Sequence, residues 1–548
     1  MAGRVIITSG RVIQQGVVHV SALLDWFLSA LPVLIVLVLM LWRRWSGASA
    51  GTVGWLAAVM VAVCHFGAGW SVVMYAQVKA VLLAFLVLYI IWAALLFYRV
   101  TDEAGAVAAV GAGLPQLTPD RGLQTLLLGW AFSAFLQGVG GFGVPVAVVA
   151  PLLVGLGFSP VAAVVIPSVG HAWAVTFGSL GASFYALMAA TGRAGTELAP
   201  WSALMLGLAC LGCGVGALWA GVADEQPGWG RWRYVWRAHL VPLLLMWLTM
   251  AGAQFLVVTN GLWPIGGMVG GLAGLAVGVA WARRYSQPQT PKPPLPRQTS
   301  PQTQAMIWAL IPYALLVGIV LVAQLWPPVR DFLGQVVIRV EFPELSTARC
   351  WVTPAGEGGR IDVFGHAGAL LGYASLLTYG LFRWRGRYTP GAGRRIVLGV
   401  VRSALRSSLG IVAMMGLAAT MDYAGMTYLL AEGVARMAGP AFPLIAPFIG
   451  ALGAFMTGSN TNSNVVFGSL QQQVANLVGV NPLIILAAQT AGGAIGSLFA
   501  PAKIIVGCST VELGGQEGPV LRTALRYGLV IIASLALVTG LAVALFGH

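Results

Sequence analysis

Apolar residues come in long blocks along this chain, and polar residues gather in short stretches between them. A block of about 20 apolar residues is what an α-helix needs to cross the hydrocarbon core of a bilayer. Such blocks lie at 26–42, 52–68, 73–97, 122–136, 160–183, 201–222, 238–258, 262–282, 306–325, 366–383, 396–420, 441–457, 482–499 and 525–546. They predict 12 to 14 membrane helices in an all-α polytopic membrane protein. Two places break the rule that polarity falls between blocks: Gly138–Pro145 reads GVGGFGVP, and Gly458–Asn464 reads GSNTNSN. Inside hydrocarbon, backbone that leaves its helix is tolerated only where protein or a water-filled cavity covers it. Both stretches are therefore expected in the interior, as tips of broken or re-entrant elements. The alternative for GSNTNSN is a turn outside the membrane, but no charged residue marks an aqueous loop there.

The two stretches open similar series. Gly138–Val146 is followed by an apolar run, by Gly157-Phe-Ser-Pro160, by another apolar helix and by a break at Phe177-Gly-Ser-Leu180. Gly458–Gly468 is followed by SLQQQVANLV, by Gly479-Val-Asn-Pro482, by an apolar helix and by a break at Gly496-Ser-Leu-Phe499. The order is shared while the spacing is not: Gly143 to Pro160 is 17 residues and Gly468 to Pro482 is 14. A Pro-, Gln-, Ser- and Thr-rich linker at 285–305, which cannot build a packed core, separates an N-terminal membrane half at 1–284 from a C-terminal half at 306–548. This reads as two related, inverted halves, each with a substrate motif, at 137–181 and 457–505. Matched interruptions in two halves are the strongest sequence pointer to a transport site.

Composition supports the membrane reading, with 58% hydrophobic and 8% charged residues among 548. The net charge of +14 would suggest nucleic acid in a soluble protein, but here the cations cluster at helix ends: Arg43-Arg44, Arg99, Arg231/Arg233/Arg237, Arg283-Arg284, Lys292, Arg297, Arg383/Arg385/Arg387 and Arg394-Arg395. That is the positive-inside pattern, and no nucleic-acid partner is implied. Threading the chain accordingly puts the N-terminus and segment 326–365 outside. Met1–Val20 lacks a long apolar core, so no cleavable signal is expected. The five cysteines are scattered, and Cys210-Leu-Gly-Cys213 sits within an apolar run, where small residues serve helix packing. The six histidines show no metal-ligand spacing. No HExxH, no phosphate-binding GxxxxGK[ST] and no serine with a plausible histidine partner is present. An enzyme, a resident cofactor or metal and direct use of ATP are therefore not expected.

The candidate site consists of Gln137, Gly140, Gly141, Phe142, Gly143 and Pro145 at the first tip and Ser459, Asn460, Thr461, Asn462, Ser463 and Asn464 at the second, with His171 and Lys503. Glycine frees the chain from helical backbone, while Ser, Thr and Asn pair freed backbone groups or a ligand. Helix N-termini at such tips suit an anion. Lys503 either faces a ligand or snorkels to the interface. His171 either packs between helices or binds a carboxylate and a proton. Asp422 lies at membrane depth, which makes it, with His171, a candidate for carrying a coupling cation. Lys79 also falls inside an apolar run, without a partner visible in the sequence.

Four ordered segments resemble the bacterial L-lactate permease family, which includes glycolate permeases. Phe132–Val161, with QGVGGFGVPVAVVAPLL, is similar to that family's EGxxGFGxPVAIxAPLL. Met421–Ala431 resembles its NYSGMT region, Thr457–Gln472 its TGSDTxSNxLFGxLQ signature, and Ala491–Ile505 its SGGxxGKMISPQSI block. The resemblance implies a secondary carboxylate transporter in the bacterial inner membrane, an ion-transporter-superfamily-like fold with paired re-entrant hairpins, and alternating access. It also implies a small organic anion such as lactate or glycolate, moved by symport with a cation, protons before sodium; a homodimer is compatible with it. This chain departs from the pattern at informative positions. Gln137 stands in place of Glu, Asn460 in place of Asp, His171 and Asp422 in place of Asn, and Lys503 beside the place of Gln-Ser. Amide for carboxylate keeps hydrogen-bonding capacity and removes titratable charge. The site so altered favours an anion by Coulomb's law. It leaves open a more highly charged substrate, a relocated coupling group, or a non-transporting sensor or channel derived from this fold.

Overall fold

A computed structural model describes residues 20–43, 45–106, 109, 118–141, 143–223, 235–285, 301–513 and 517–546. Of the linker expected at 285–305, residues 286–300 lie outside the described residues, as do the first 19 residues and Phe142, while Tyr285 ends one helix and 301–305 begin another. Helices dominate. Among the described residues, eleven are long and apolar enough to cross a membrane, or up to twelve if a pair bent by 88° between Trp308–Ala323 and Pro327–Leu333 counts as one. That meets the range expected from run length only at its lower end. The block at 26–42 gives only a shorter apolar helix, Leu24–Met40, and the block at 441–457 joins the helix before it in one candidate span, Met426–Thr457.

One layer is built on two long helices, α3 (Trp70–Glu103, 34 residues) and a later one, Ala392–Tyr423 (32 residues). At 1.5 Å rise per residue these are about 50 Å long, against about 30 Å of hydrocarbon, so they must tilt or project. They run antiparallel. Gln77 Nε2 donates to Thr420 Oγ1 at 3.0 Å near one end, and Arg395 pairs with Glu103 at 2.6 Å at the other. α1 (Val20–Leu41) and α2 (Gly47–Cys64) flank this pair. Trp55 of α2 covers Gly416, where a side chain would not fit. These helices form a framework with Ala367–Trp384, which meets α3 at Gly368 and Tyr89. Arg99, Arg395 and the Tyr388 segment gather at a single end of it, where Tyr388 donates to Val100 O, as the positive-inside pattern predicts for a common face.

The other layer holds the interrupted helices. α4 (Arg121–Val139) includes a π-helical stretch at Thr125–Phe132 and is buried throughout. It ends at Gly140, and α5 (Val144–Gly155) follows from Gly143. Arg121 donates to the carbonyl of Gly157, so the hairpin returns to the side it left. α6 (Pro160–Gly170) and α7 (Ala182–Thr191) form a broken helix, followed by α8 (Gly195–Ala223), α9 (Leu240–Thr259) and α10 (Gly266–Tyr285). Gly271 of α10 lies against the backbone of Phe135, and a Cβ there would collide with it.

After α11 (Pro301–Leu325) and α12 (Pro327–Leu333) come four short strands: β1 (Val337–Phe342), β2 (Leu345–Ser346), β3 (Val352–Thr353) and β4 (Gly356–Asp362). β1 pairs antiparallel with β4 and β2 with β3, so segment 326–365 adds small sheets to an otherwise helical protein. The framework helices Ala367–Trp384 and Ala392–Tyr423 are α13 and α14. Then follow α15 (Met426–Ala438), α16 (Phe442–Thr457), α17 (Asn460–Val478), α18 (Pro482–Gly496), α19 (Pro501–Ser509) and α20 (Glu517–Phe546). The interruption expected over seven residues at GSNTNSN is shorter in the structure. Gly458, at φ 69°, closes α16, Ser459 caps α17, and the remaining five residues are already helical. Ser459 accepts from Asn462 N at 3.3 Å, the bond by which serine serves as an N-cap.

Candidate functional site

The segment between α6 and α7 is the centre of the polar interior. Pro167 lies inside α6 and cannot donate to the helix ladder, and the helix ends three residues later. The break begins at His171, six residues before the expected Phe177. Two 3-10 turns follow, at Ala172–Ala174 and Ser179–Gly181. Ser179 (φ 47°) and Leu180 (φ 55°) are both left-handed. Each costs about 1–3 kcal/mol and persists only where its surroundings over-determine it.

The first tip packs on one flank of this segment. Gly178 approaches the carbonyl of Gln137 so closely that a Cβ would not fit, and Gly141 lies against Ser179 Oγ in the same way. Gly143, at φ 89°, starts α5, with Pro145 in its first turn. Gln137 is buried, and its Oε1 has no hydrogen-bond partner among the described residues.

The second tip packs on the other flank. Asn460 Nδ2 donates to Thr176 Oγ1 at 3.1 Å and to Thr490 Oγ1 at 3.4 Å. Asn464, one helical turn on, donates to Thr490 Oγ1 and to Ser183 O, both at 2.9 Å. Thr461 and Ser183 share a hydroxyl bond at 3.0 Å. The remaining tip residues point elsewhere. Ser463 donates to Gly450 O and accepts from Gln489, tying α17 to α16 and α18. Asn462 faces the framework, lining a small void with Val33, Val36 and Met414.

The second broken helix completes the neighbourhood. α18 ends in a 3-10 turn at Ser497–Phe499, Ala500 is extended, and Pro501 opens α19. Lys503 Nζ donates to Ser497 Oγ at 3.0 Å, so it is turned inward and not to the interface. It lies within electrostatic reach of His171. Val506 borders Gly143, and Gly507 meets Val146 and Val164, which seats α19 on the first hairpin and on α6. His171 is fully buried. Its Nδ1 sits 2.6 Å from Pro167 O, and its Nε2 has no partner among the described residues.

Among the residues named from sequence, the structure thus brings Gln137, Gly141, His171, Asn460, Thr461, Asn464 and Lys503 around segment 171–183. Asp422 stands apart, on α14, where it accepts from Ser469 Oγ at 3.4 Å and Gln473 Nε2 at 3.2 Å of α17. Lys79 lies 6.0 Å from the Tyr423 ring and within electrostatic reach of Asp422, which supplies the partner the sequence did not show. Sequence patterning does not single out Thr176, Ser183 and Thr490, while Ser497 lies in the break expected at Gly496–Phe499. The signal of the first three is slight: one hydroxyl each within an apolar run. Across 133–183 and 457–505, Lys503 is the single residue with a formal charge, histidine aside. The N-termini of α5, α7, α17 and α19 add their partial positive charges.

Interrupted helices that meet through buried polar groups inside a bundle of membrane spans mark a membrane transport protein. A family model described as L-lactate permease matches residues 25–546. This chain belongs to the L-lactate permease family, and with it to the multi-pass proteins of the bacterial inner membrane. The L-lactate permease of Salmonella typhimurium (strain LT2) is 26% identical over 482 residues, 83% of this chain and 84% of that protein. The L-lactate permease of Bacillus subtilis (strain 168) is 26% identical over 566 residues, covering 93% and 95%. The glycolate permease GlcA of Escherichia coli (strain K12) is 26% identical over 568 residues, covering 94% and 95%. Among solved structures, the YdaH transporter of Alcanivorax borkumensis, described as having an unusual topology, aligns over 86% of each chain with 14% identity and a TM-score of 0.43.

Proposed function

We propose that this protein is a secondary transporter of a small monocarboxylate, lactate or glycolate, by cation-coupled symport with alternating access. The observation that carries this reading is the convergence of both tips on segment 171–183, with an inward-turned Lys503 within electrostatic reach of His171 and no carboxylate in either motif. An anion there meets a full positive charge, helix N-termini and buried amides, while the two absent acids remove the repulsion it would otherwise meet. His171 within the site and Asp422 at its periphery are the two groups available to a coupling cation, protons before sodium. The glycolate and lactate permeases among its relatives suggest the substrate class.

Uptake of labelled lactate, glycolate and dicarboxylates into proteoliposomes under imposed proton or sodium gradients tests the reading. Accumulation of a monocarboxylate that saturates and shows counterflow is expected. Lys503→Met should cut apparent affinity roughly ten-fold or more, the loss typical of a hydrogen bond to a charged group. Preference for a dicarboxylate would replace the substrate, flux without saturation or counterflow would replace the transporter by a channel, and binding without flux would make it a sensor.

A further inference from the structure

The geometry points to His171 as the place where proton and carboxylate bind together, an inference that rests on the transport reading above. The acceptor facing Nδ1 is the carbonyl of Pro167, at 2.6 Å. A carbonyl oxygen can only accept, so Nδ1 must carry hydrogen. In the neutral ring Nε2 is then a bare lone pair, and it has no donor to accept from among the described residues although the residue is fully buried. A carboxylate also only accepts when ionised. The two cannot pair until a proton joins Nε2, after which both ring nitrogens donate, one to Pro167 O and the other to the anion.

Lys503 sharpens the dependence. It is the charged group that faces His171 from α19, and neither the first tip nor α6 supplies another within 133–183. A protonated ring within electrostatic reach of the half-buried Lys503 is repelled by it, so the proton on Nε2 is favoured while an anion is present. The loaded site holds two positive groups and one carboxylate, and the empty one holds Lys503 alone. Proton and anion therefore arrive and leave together, which is the requirement for symport. The proton comes from water and returns to water, and no covalent bond changes.

The test is lactate and glycolate binding to the purified full-length protein between pH 6 and 8, where the free anions stay ionised. Calorimetry in buffers of different ionisation enthalpy counts protons. Expected for the native protein is uptake of close to one proton per anion and a fall in affinity of about ten-fold per pH unit. His171→Asn and His171→Gln supply a permanent donor and should bind with a flat pH dependence and no proton uptake, retain exchange and lose proton-driven accumulation. A structural role for His171 would lower affinity at every pH and keep the slope. Retention of the slope in both variants, or a flat dependence in the native protein, overturns this inference alone. Absence of binding by any monocarboxylate at any pH overturns the transport reading and this inference with it.

Discussion

Asn460 and Asn464 show what an amide can do that a carboxylate cannot. Each offers Nδ2 to the hydroxyl of Thr490, and between them they also reach Thr176 and the carbonyl of Ser183. An ionised carboxylate at 460 or 464 would have no hydrogen to give. The amide side chains named from the sequence were the informative ones, because polar groups in an apolar interior need partners. Which partner each takes was not legible, since Asn460, Asn462 and Asn464 look alike in a row. Helical spacing puts 460 and 464 on one face and 462 on another, and the structure assigns the second face to the framework. Asn464→Ala should therefore destabilise the protein by about 1–3 kcal/mol, the usual cost of leaving buried partners unsatisfied. Asn462→Ala should cost clearly less. Thermal unfolding in a fixed detergent compares them, and equal losses would contradict the two-faced arrangement.

Helix α17 joins the candidate site at one end and forms a seam at the other. Its first turn joins the polar centre, and Ser469 and Gln473, four residues apart, reach Asp422 on α14. No residue of 460–478 is charged, so the framework keeps both charges, Asp422 and Lys79, while the hairpin brings only neutral donors. The elements of this region were partly visible in sequence. GSNTNSN marked a turn, since glycine supplies the left-handed residue that ends a helix, but two residues suffice where seven were expected. The break at 171–181 is longer than sequence suggested, because α6 with Pro167 inside it already ends at Gly170, and within the break Leu180 adopts a left-handed conformation that its type disfavours. Only packing from both flanks holds it there. Asp422→Asn removes charge from the seam but not from the polar centre. Anion affinity and its pH dependence are expected to stay as they are, while the rate of exchange changes several-fold. A loss of affinity would place Asp422 in the binding site instead.

The molecule divides into a framework of α1, α2, α3, α13 and α14 and a body of broken helices, and the border between them is uneven. Next to Asn462, small voids run along Val33, Val36, Met414, Leu417 and Val466, and continue past Met421 and Ser469. Aliphatic faces with few polar ties suit sliding better than an interlocked core. If alternating access moves the body along this border, a disulfide between cysteines placed at Val36 and Val466 should stop transport and spare anion binding, and reduction should restore flux. The variant needs the native cysteines replaced, with uptake and binding measured before and after reduction. Transport that continues with the cross-link formed would exclude motion along this border. The amino-acid sequence by itself determined the helical membrane class, because burying backbone in hydrocarbon leaves little else possible. It also marked the regions in which the helices break, though not the exact residues, because glycine and proline weaken the helical ladder and uncharged polar side chains beside them pair the backbone groups so freed. The tertiary structure alone decided which breaks meet, that Asn462 turns away from the others, and that His171 presents a bare nitrogen within electrostatic reach of Lys503. These depend on contacts between residues hundreds of positions apart, such as Thr176 with Thr490, and no local pattern encodes the direction in which a buried side chain finds its partner.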